Sequence, residues 1–154
     1  LDLCGQCHAG LFPLRGEPFA FRPGDALSDH YIEVAEGGND GVHTADQLER
    51  LKRSACFKQS EMTCIDCHNP HQRETGRVDL FSQRCISCHQ IESCGMSETV
   101  GDSISDNCID CHMPMYESTS LTFQDSDGKS ALMIRDHHIR IDQDSTQKHL
   151  SEMR

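Results

Sequence analysis

The chain is 154 residues long and acidic, with 25 Asp and Glu against 14 Lys and Arg and a formal net charge of −11. That balance argues against nucleic acid as a partner, because phosphate binding calls for a basic surface, and no apolar run approaches the roughly eighteen residues a membrane span requires. Only 36% of the residues are hydrophobic, ten of these are Cys, and there are no Trp and two Tyr, so the polypeptide alone holds too little apolar bulk for a sizeable core.

A first pattern stands at the N-terminus, Cys4-Gly-Gln-Cys7-His8. From Gly10 to Gly41 the chain carries Pro13, Pro18, Pro23, Gly16, Gly24, Gly37 and Gly38, a density that predicts irregular loop. Residues 42–57 read as the clearest helix: Thr44 with Gln47 makes a capping box, and Leu48, Leu51 and Ala55 recur on one face. The alternative for Thr44 is an ordinary loop threonine. The pattern then returns three times, as Cys64-Ile-Asp-Cys67-His68, Cys85-Ile-Ser-Cys88-His89 and Cys108-Ile-Asp-Cys111-His112. Sixteen residues separate His68 from Cys85 and eighteen separate His89 from Cys108, room for a short entering helix such as Val78 to Cys85 and little else. The segment from Pro114 to Arg154 is polar, with a turn at Asp125-Ser-Asp-Gly128 and a weak helix from Asp144 to Met153. The sixty-residue gap from Cys4 to Cys64 excludes a fixed-period solenoid.

Cys-x-x-Cys-His is the attachment pattern of a c-type haem. Two sulfurs one helical turn apart can bond the vinyl carbons of one porphyrin edge, and the next residue's imidazole then sits under the iron. Paired CxxC knuckles also build zinc ribbons, but zinc does not require a His after the second Cys of every pair. Four matches predict four covalently attached haem c groups, each with its iron. These macrocycles would supply the missing core, so they are expected to be structural as well as functional. Their propionates make the assembled protein more acidic still, which suits a basic redox partner or simply a dispersed acidic surface. Covalent attachment takes place outside the cytoplasmic membrane, so the protein is expected to be exported, periplasmic or extracellular. The chain starts at Leu1, three residues before Cys4, which reads as a leader removed. Residues 1–154 form one tetrahaem domain, either whole or a piece of a longer multihaem chain.

The second axial ligand decides between electron transfer and chemistry, because a closed iron relays electrons and an open one binds substrate. Six His stand outside the motifs: His30, His43, His71, His137, His138 and His149. His71 is too close to His68 to pass round the same macrocycle, so any iron it binds belongs to a neighbouring haem; a surface His after Pro70 is the alternative. His43 opens the expected helix, as a ligand or as a solvated side chain. One of His137 and His138 is a ligand candidate, and His30 is the fourth. Met62, Met96, Met113, Met115 and Met133 are the rival ligand type, more often packed against rings. Cys56 and Cys94 remain, either as a disulfide from the helix end to the segment after the third motif or as two free thiols.

The run from Ser54 to His71, Arg84 to His89 with Cys94, Asn107 to Pro114 and Asp136-His137 resembles the multihaem cytochromes c related to cytochrome c554, in particular the subgroup often fused to tetratricopeptide repeats. Cys4 to His8 and Arg22-Pro23-Gly24 match it too, so the resemblance runs to about residue 141. It implies a mostly irregular, all-α fold of short helices and loops wrapped around four closely packed haems, with little or no sheet. It also implies bis-His haems and electron transfer outside the cytoplasm. Ligand roles carry over to His43, His71 and His137, and the Cys56–Cys94 disulfide gains weight. Relatives often hold another His upstream of the Asp-His pair, where this chain has Phe123 and Gln124; His30, His138 or an open iron must fill that place. Related short tetrahaem cytochromes build extracellular filaments, which adds a homopolymer to redox proteins as the expected partners. The leading function is therefore an electron carrier or conduit with no catalysis at iron. The alternative is a multihaem oxidoreductase acting on a small nitrogen or sulfur compound at one five-coordinate haem. Six spare His and the lack of a CxxCK variant weigh for the carrier, while fold class decides nothing here.

Overall fold

The computed structural model describes residues 1–10, 13–32, 46–126 and 128–153. Its longest helix has ten residues, so each element depends on its neighbours for burial. The N-terminal helix α1 (Asp2–His8) packs on α2 (Leu27–His30) and α3 (Gln47–Lys52). Gly5 permits this approach: a Cβ there would stand 2.9 Å from Leu27 Cδ2 and 3.4 Å from Leu48 Cδ2. Over residues 13–26 the Pro- and Gly-rich stretch is irregular as expected, and its residues 33–41 lie outside the described residues. A single antiparallel bridge, Leu14 to Tyr31, ties it back on itself, with Arg15 N–H donating to the His30 carbonyl at 2.7 Å.

The helix expected over 42–57 is broken. His43 and Thr44, and with them the expected capping box, lie outside the described residues. Beyond them α3 ends at Lys52 and α4 (Ala55–Lys58) starts afresh after Ser54, whose backbone is extended at φ −69°, ψ 140°. Leu48 and Leu51 are buried as the pattern requires, whereas Ala55 is exposed. Ser54 explains the break. It is wholly buried, its Oγ accepts the Ile139 N–H at 2.8 Å and donates to the His137 carbonyl at 3.2 Å; these two distant bonds outweigh a local helix preference of a few tenths of a kcal/mol.

Short helices α5 (Cys64–Cys67), α6 (Val78–Ile86), α7 (Ser97–Val100) and α8 (Ile109–His112) carry the middle of the chain, with 3₁₀ turns at Ile91–Ser93 and Gly101–Ser105. Next comes an antiparallel hairpin, β1 (Met115–Asp125) and β2 (Gly128–Arg135), the one sheet among the described residues. The turn expected at 125–128 joins its strands. Its register slips between the pairs Glu117–Met133 and Thr122–Ala131, so residues 118–121 bulge opposite Leu132. The β-branched and aromatic content of Leu121-Thr-Phe123 and Leu132-Met-Ile134 favours strand. Helix α9 (Gln143–Glu152) follows, within a residue of its expected bounds, capped by Asp142 accepting the Ser145 N–H at 2.9 Å.

Among the described residues the buried apolar set is Ala9, Leu48, Leu51, Ile109 and Ile134. Arg50, Ser54, Glu74, Ser82, Ser118 and Asp136 are buried beside them. The polypeptide is thus held largely by polar clasps, each satisfying the buried groups it brings in. No helix among the described residues is long and apolar enough to cross a membrane.

Candidate haem sites

Every Cys-x-x-Cys-His motif folds into one helical turn. Helix α1 contains the whole first motif. In the other three, the His N–H donates to the carbonyl of the first Cys: His68 to Cys64 at 2.9 Å, His89 to Cys85 at 2.9 Å and His112 to Cys108 at 3.1 Å. Two thiols and one imidazole therefore share each turn, which is the donor set that a covalently held porphyrin needs. The second and fourth turns start with the same device. Thr63 N–H donates to Asp66 Oδ2 at 2.6 Å, and Asn107 Oδ1 accepts the Asp110 N–H at 3.2 Å while its Nδ2 donates back to Asp110 Oδ2 at 2.8 Å. The Asp of Cys-Ile-Asp-Cys is thus a local brace.

The motifs lie in a connected set. Cys4 neighbours Cys64, joining the first to the second, and Cys85 neighbours Cys108, joining the third to the fourth; the latter contact lowers the Cys108 pKa and raises that of Cys85. Arg84, on α6, bridges the second and third: it donates to the Cys67 carbonyl and, at 2.9 Å, to Glu74 Oε2. That guanidinium, with the Asn69 N–H, holds the Glu74 carboxyl down at about 2. Wholly buried Ser82, also on α6, accepts the Cys108 N–H at 2.9 Å. Arg135 ties β2 to α8 through the Ile109 and Met113 carbonyls at 3.0 and 2.7 Å and Asp110 Oδ1 at 2.7 Å.

Residues 135–140 serve two motifs at once. The Arg140 carbonyl lies 2.9 Å from His112 Nδ1; as a carbonyl only accepts, Nδ1 carries the proton and Nε2 is left as the metal-binding nitrogen. His137 Nδ1 donates likewise to the Arg135 carbonyl at 3.2 Å. Its ring lies beside that of His68, with centroids 6.0 Å apart and planes 26° from parallel. Burial lowers the pKa of His137, and crowding, by Phe81 edge-on at 5.2 Å among others, lowers that of His68. Both rings are therefore neutral near pH 7, the ligand form. His8 adds to both shifts, which places the first motif's imidazole near this pair.

The remaining His are dispersed. His71 is exposed, on an Asx turn in which its N–H donates to Asn69 Oδ1 at 3.0 Å. His30 gives its Nε2 to Asp25 Oδ2 at 3.0 Å and stands edge-on to Phe21 at 5.5 Å, so the nitrogen a haem would use already has a partner. His138 is half-buried, its N–H donating to Asp136 Oδ1 at 2.9 Å, and His149 on α9 lies within electrostatic reach of Asp110. Cys56 and Cys94 are free thiols in the structure: Cys56 neighbours Cys67 and Cys85, and Cys94 neighbours Cys111. The expected disulfide between them is not formed. Sequence reasoning missed Gly5, Arg50, Ser82, Arg84, Arg135 and Arg140. The one available signal was the concentration of Arg about the Asp136-His137 pair.

The chain is similar to the multihaem cytochrome MtrA of Shewanella baltica, 42% identical over 52 residues, covering 30% of this chain and 15% of that protein. This chain therefore spans a small part of that protein's length. No family model and no solved structure matches it. The similarity supports a c-type cytochrome with more than one haem, and with it haem-based electron transport.

Proposed function

We propose that the protein is a tetrahaem electron carrier. Cys4, Cys7 and His8, Cys64, Cys67 and His68, Cys85, Cys88 and His89, and Cys108, Cys111 and His112 hold one haem c each. The observation that carries this reading is the helical turn at every Cys-x-x-Cys-His motif, which gathers two thiols and one imidazole, with a further imidazole, His137, beside His68. Haem supplies a one-electron ferric–ferrous couple. The protein's residues do the rest: thiols fix each ring, carbonyls orient His112 and His137, and adjoining motifs set haem next to haem for a relay. His71 would close a neighbour's iron, and His43 and one further His the remaining two. The carrier is exported, periplasmic or extracellular, and exchanges electrons with redox proteins, with further copies of itself or within a larger multihaem chain.

A second reading has one observation in its favour. Because Asp25 holds His30 Nε2, one haem can lack a second His, and an open iron would suit an oxidoreductase acting on a small nitrogen or sulfur compound. Electron paramagnetic resonance of the oxidised protein, followed by carbon monoxide added to the reduced protein, separates the two. The carrier gives four low-spin haems and no stoichiometric Soret change. Stoichiometric binding of carbon monoxide with saturable turnover of nitrite or hydroxylamine would select the enzyme.

A further inference from the structure

We infer that Arg50 and Asp136 are positioning residues for His137, a buried clasp that fixes the imidazole beside His68 and tunes the haem it would ligate. This rests on His137 being an iron ligand, as proposed above. Asp136 is wholly buried and uses both oxygens twice. Oδ1 accepts Arg50 Nε at 2.7 Å and the His138 N–H at 2.9 Å; Oδ2 accepts Arg50 Nη2 at 2.6 Å and Arg140 Nη1 at 2.7 Å. Arg50 is itself only 6% exposed.

A buried ion pair is a poor device for stability alone, because desolvating both charges offsets most of their attraction. What it provides is direction, since a bidentate guanidinium admits one orientation of the carboxylate. Here that orientation is transmitted one residue along the chain. The clasp fixes the peptide before His137 and the N–H after it, Ser54 fixes the His137 carbonyl and the Ile139 N–H, and Nδ1 is bonded to the Arg135 carbonyl. Only the side-chain torsions of His137 remain, and the ring's own hydrogen bond restricts those. Preorganisation of this kind removes the ordering cost from ligand binding. The clasp also sets charge: Arg50 and Arg140 are balanced by Asp136 and by Asp142, which pairs with Arg140 at 2.9 Å. Replacing Asp136 by a neutral group uncovers one positive charge, which favours the reduced haem and raises its potential.

The test uses haem-loaded protein carrying His137→Ala, Asp136→Asn, Arg50→Lys or Ser54→Ala, read by electron paramagnetic resonance and redox titration. His137→Ala should turn one haem in four high-spin. Asp136→Asn should perturb that same haem, with altered low-spin g values or a partial high-spin signal and a potential moved upward, and should add nothing in the double variant with His137→Ala. Arg50→Lys, which keeps charge but loses the fork, should give a smaller change at the same haem. Unaltered spectra and potentials at all four haems in Asp136→Asn, even with a lowered melting temperature, would make the clasp merely structural and overturn the inference. If Asp136→Asn does not fold, Ser54→Ala decides, since it releases the His137 carbonyl without touching a charge: altered g values at one haem support the inference and unaltered ones sink it. Four low-spin haems in His137→Ala would remove the ligand reading itself, whereas a response there with none in the clasp variants removes only the clasp.

Discussion

Ser82→Ala isolates the bond that anchors the fourth motif to α6. The wild-type hydroxyl accepts the Cys108 N–H at 2.9 Å and donates to the Val78 carbonyl at 2.9 Å. Removing it leaves the Cys108 N–H, at the start of α8, without that partner, and an orphaned N–H costs about 1–3 kcal/mol when fully buried. Cys108 is half-buried, so water recovers part of the loss, and Ala in a helix interior returns up to about 0.5 kcal/mol. The net is about 1 kcal/mol of destabilisation, or a melting temperature lower by roughly 2–4 °C for a chain of this size. Ser87→Ala is the control, because its hydroxyl donates to the Arg84 carbonyl at 2.7 Å from an exposed position and surface changes stay within about 0.5 kcal/mol. Thermal unfolding of both haem-loaded variants by far-ultraviolet circular dichroism makes the comparison. A Ser82→Ala protein as stable as wild type, or no weaker than Ser87→Ala, would refute the view that polar clasps hold the motifs in place.

Acid should loosen the link between the second and third motifs. Glu74 is held at about 2 by Arg84, so its contribution is present above the unfolded carboxyl value near 4.3 and is lost as the pH falls toward 2; Glu74→Gln should flatten the stability profile across that window, measured by denaturant titration at each pH. His71→Ala should convert one haem to high-spin with four haems still attached by intact mass, because an exposed side chain can be removed without unfolding; four unchanged low-spin signals would strip His71 of its ligand role. His30→Ala should leave every spin state unchanged, since Asp25 occupies its Nε2. A new high-spin signal there would restore His30 as the fourth ligand.

Local chemistry was legible in the sequence and distant contacts were not. Each Cys-x-x-Cys-His turn is specified within five residues, and the turn before Gly128 and the helix after Asp142 announce themselves through their own side chains. Leu48 and Leu51 are buried as their spacing indicates. The helix through Ser54 failed because its rivals, Ile139 N–H and the His137 carbonyl, lie more than eighty residues away. The strands on either side of the turn before Gly128 were not read at all, because the bulge at 118–121 spoils the alternation that marks a strand. Gly5 looked like any glycine inside a motif, and only the packed Leu27 and Leu48 side chains show why no Cβ fits there.

The Arg50–Asp136 pair spans 86 residues, and this separation makes the clasp one of the last contacts to close. Synthesis delivers the N-terminus first, so all four thiol pairs emerge before Asp136 does. The turns, which need only their own five residues, can then form while the segment that seals them is still to come. Closing so long a loop adds little entropy beyond that of a shorter one. Lateness therefore carries no great thermodynamic penalty, and it leaves the cysteine-bearing turns uncovered until the last segment arrives.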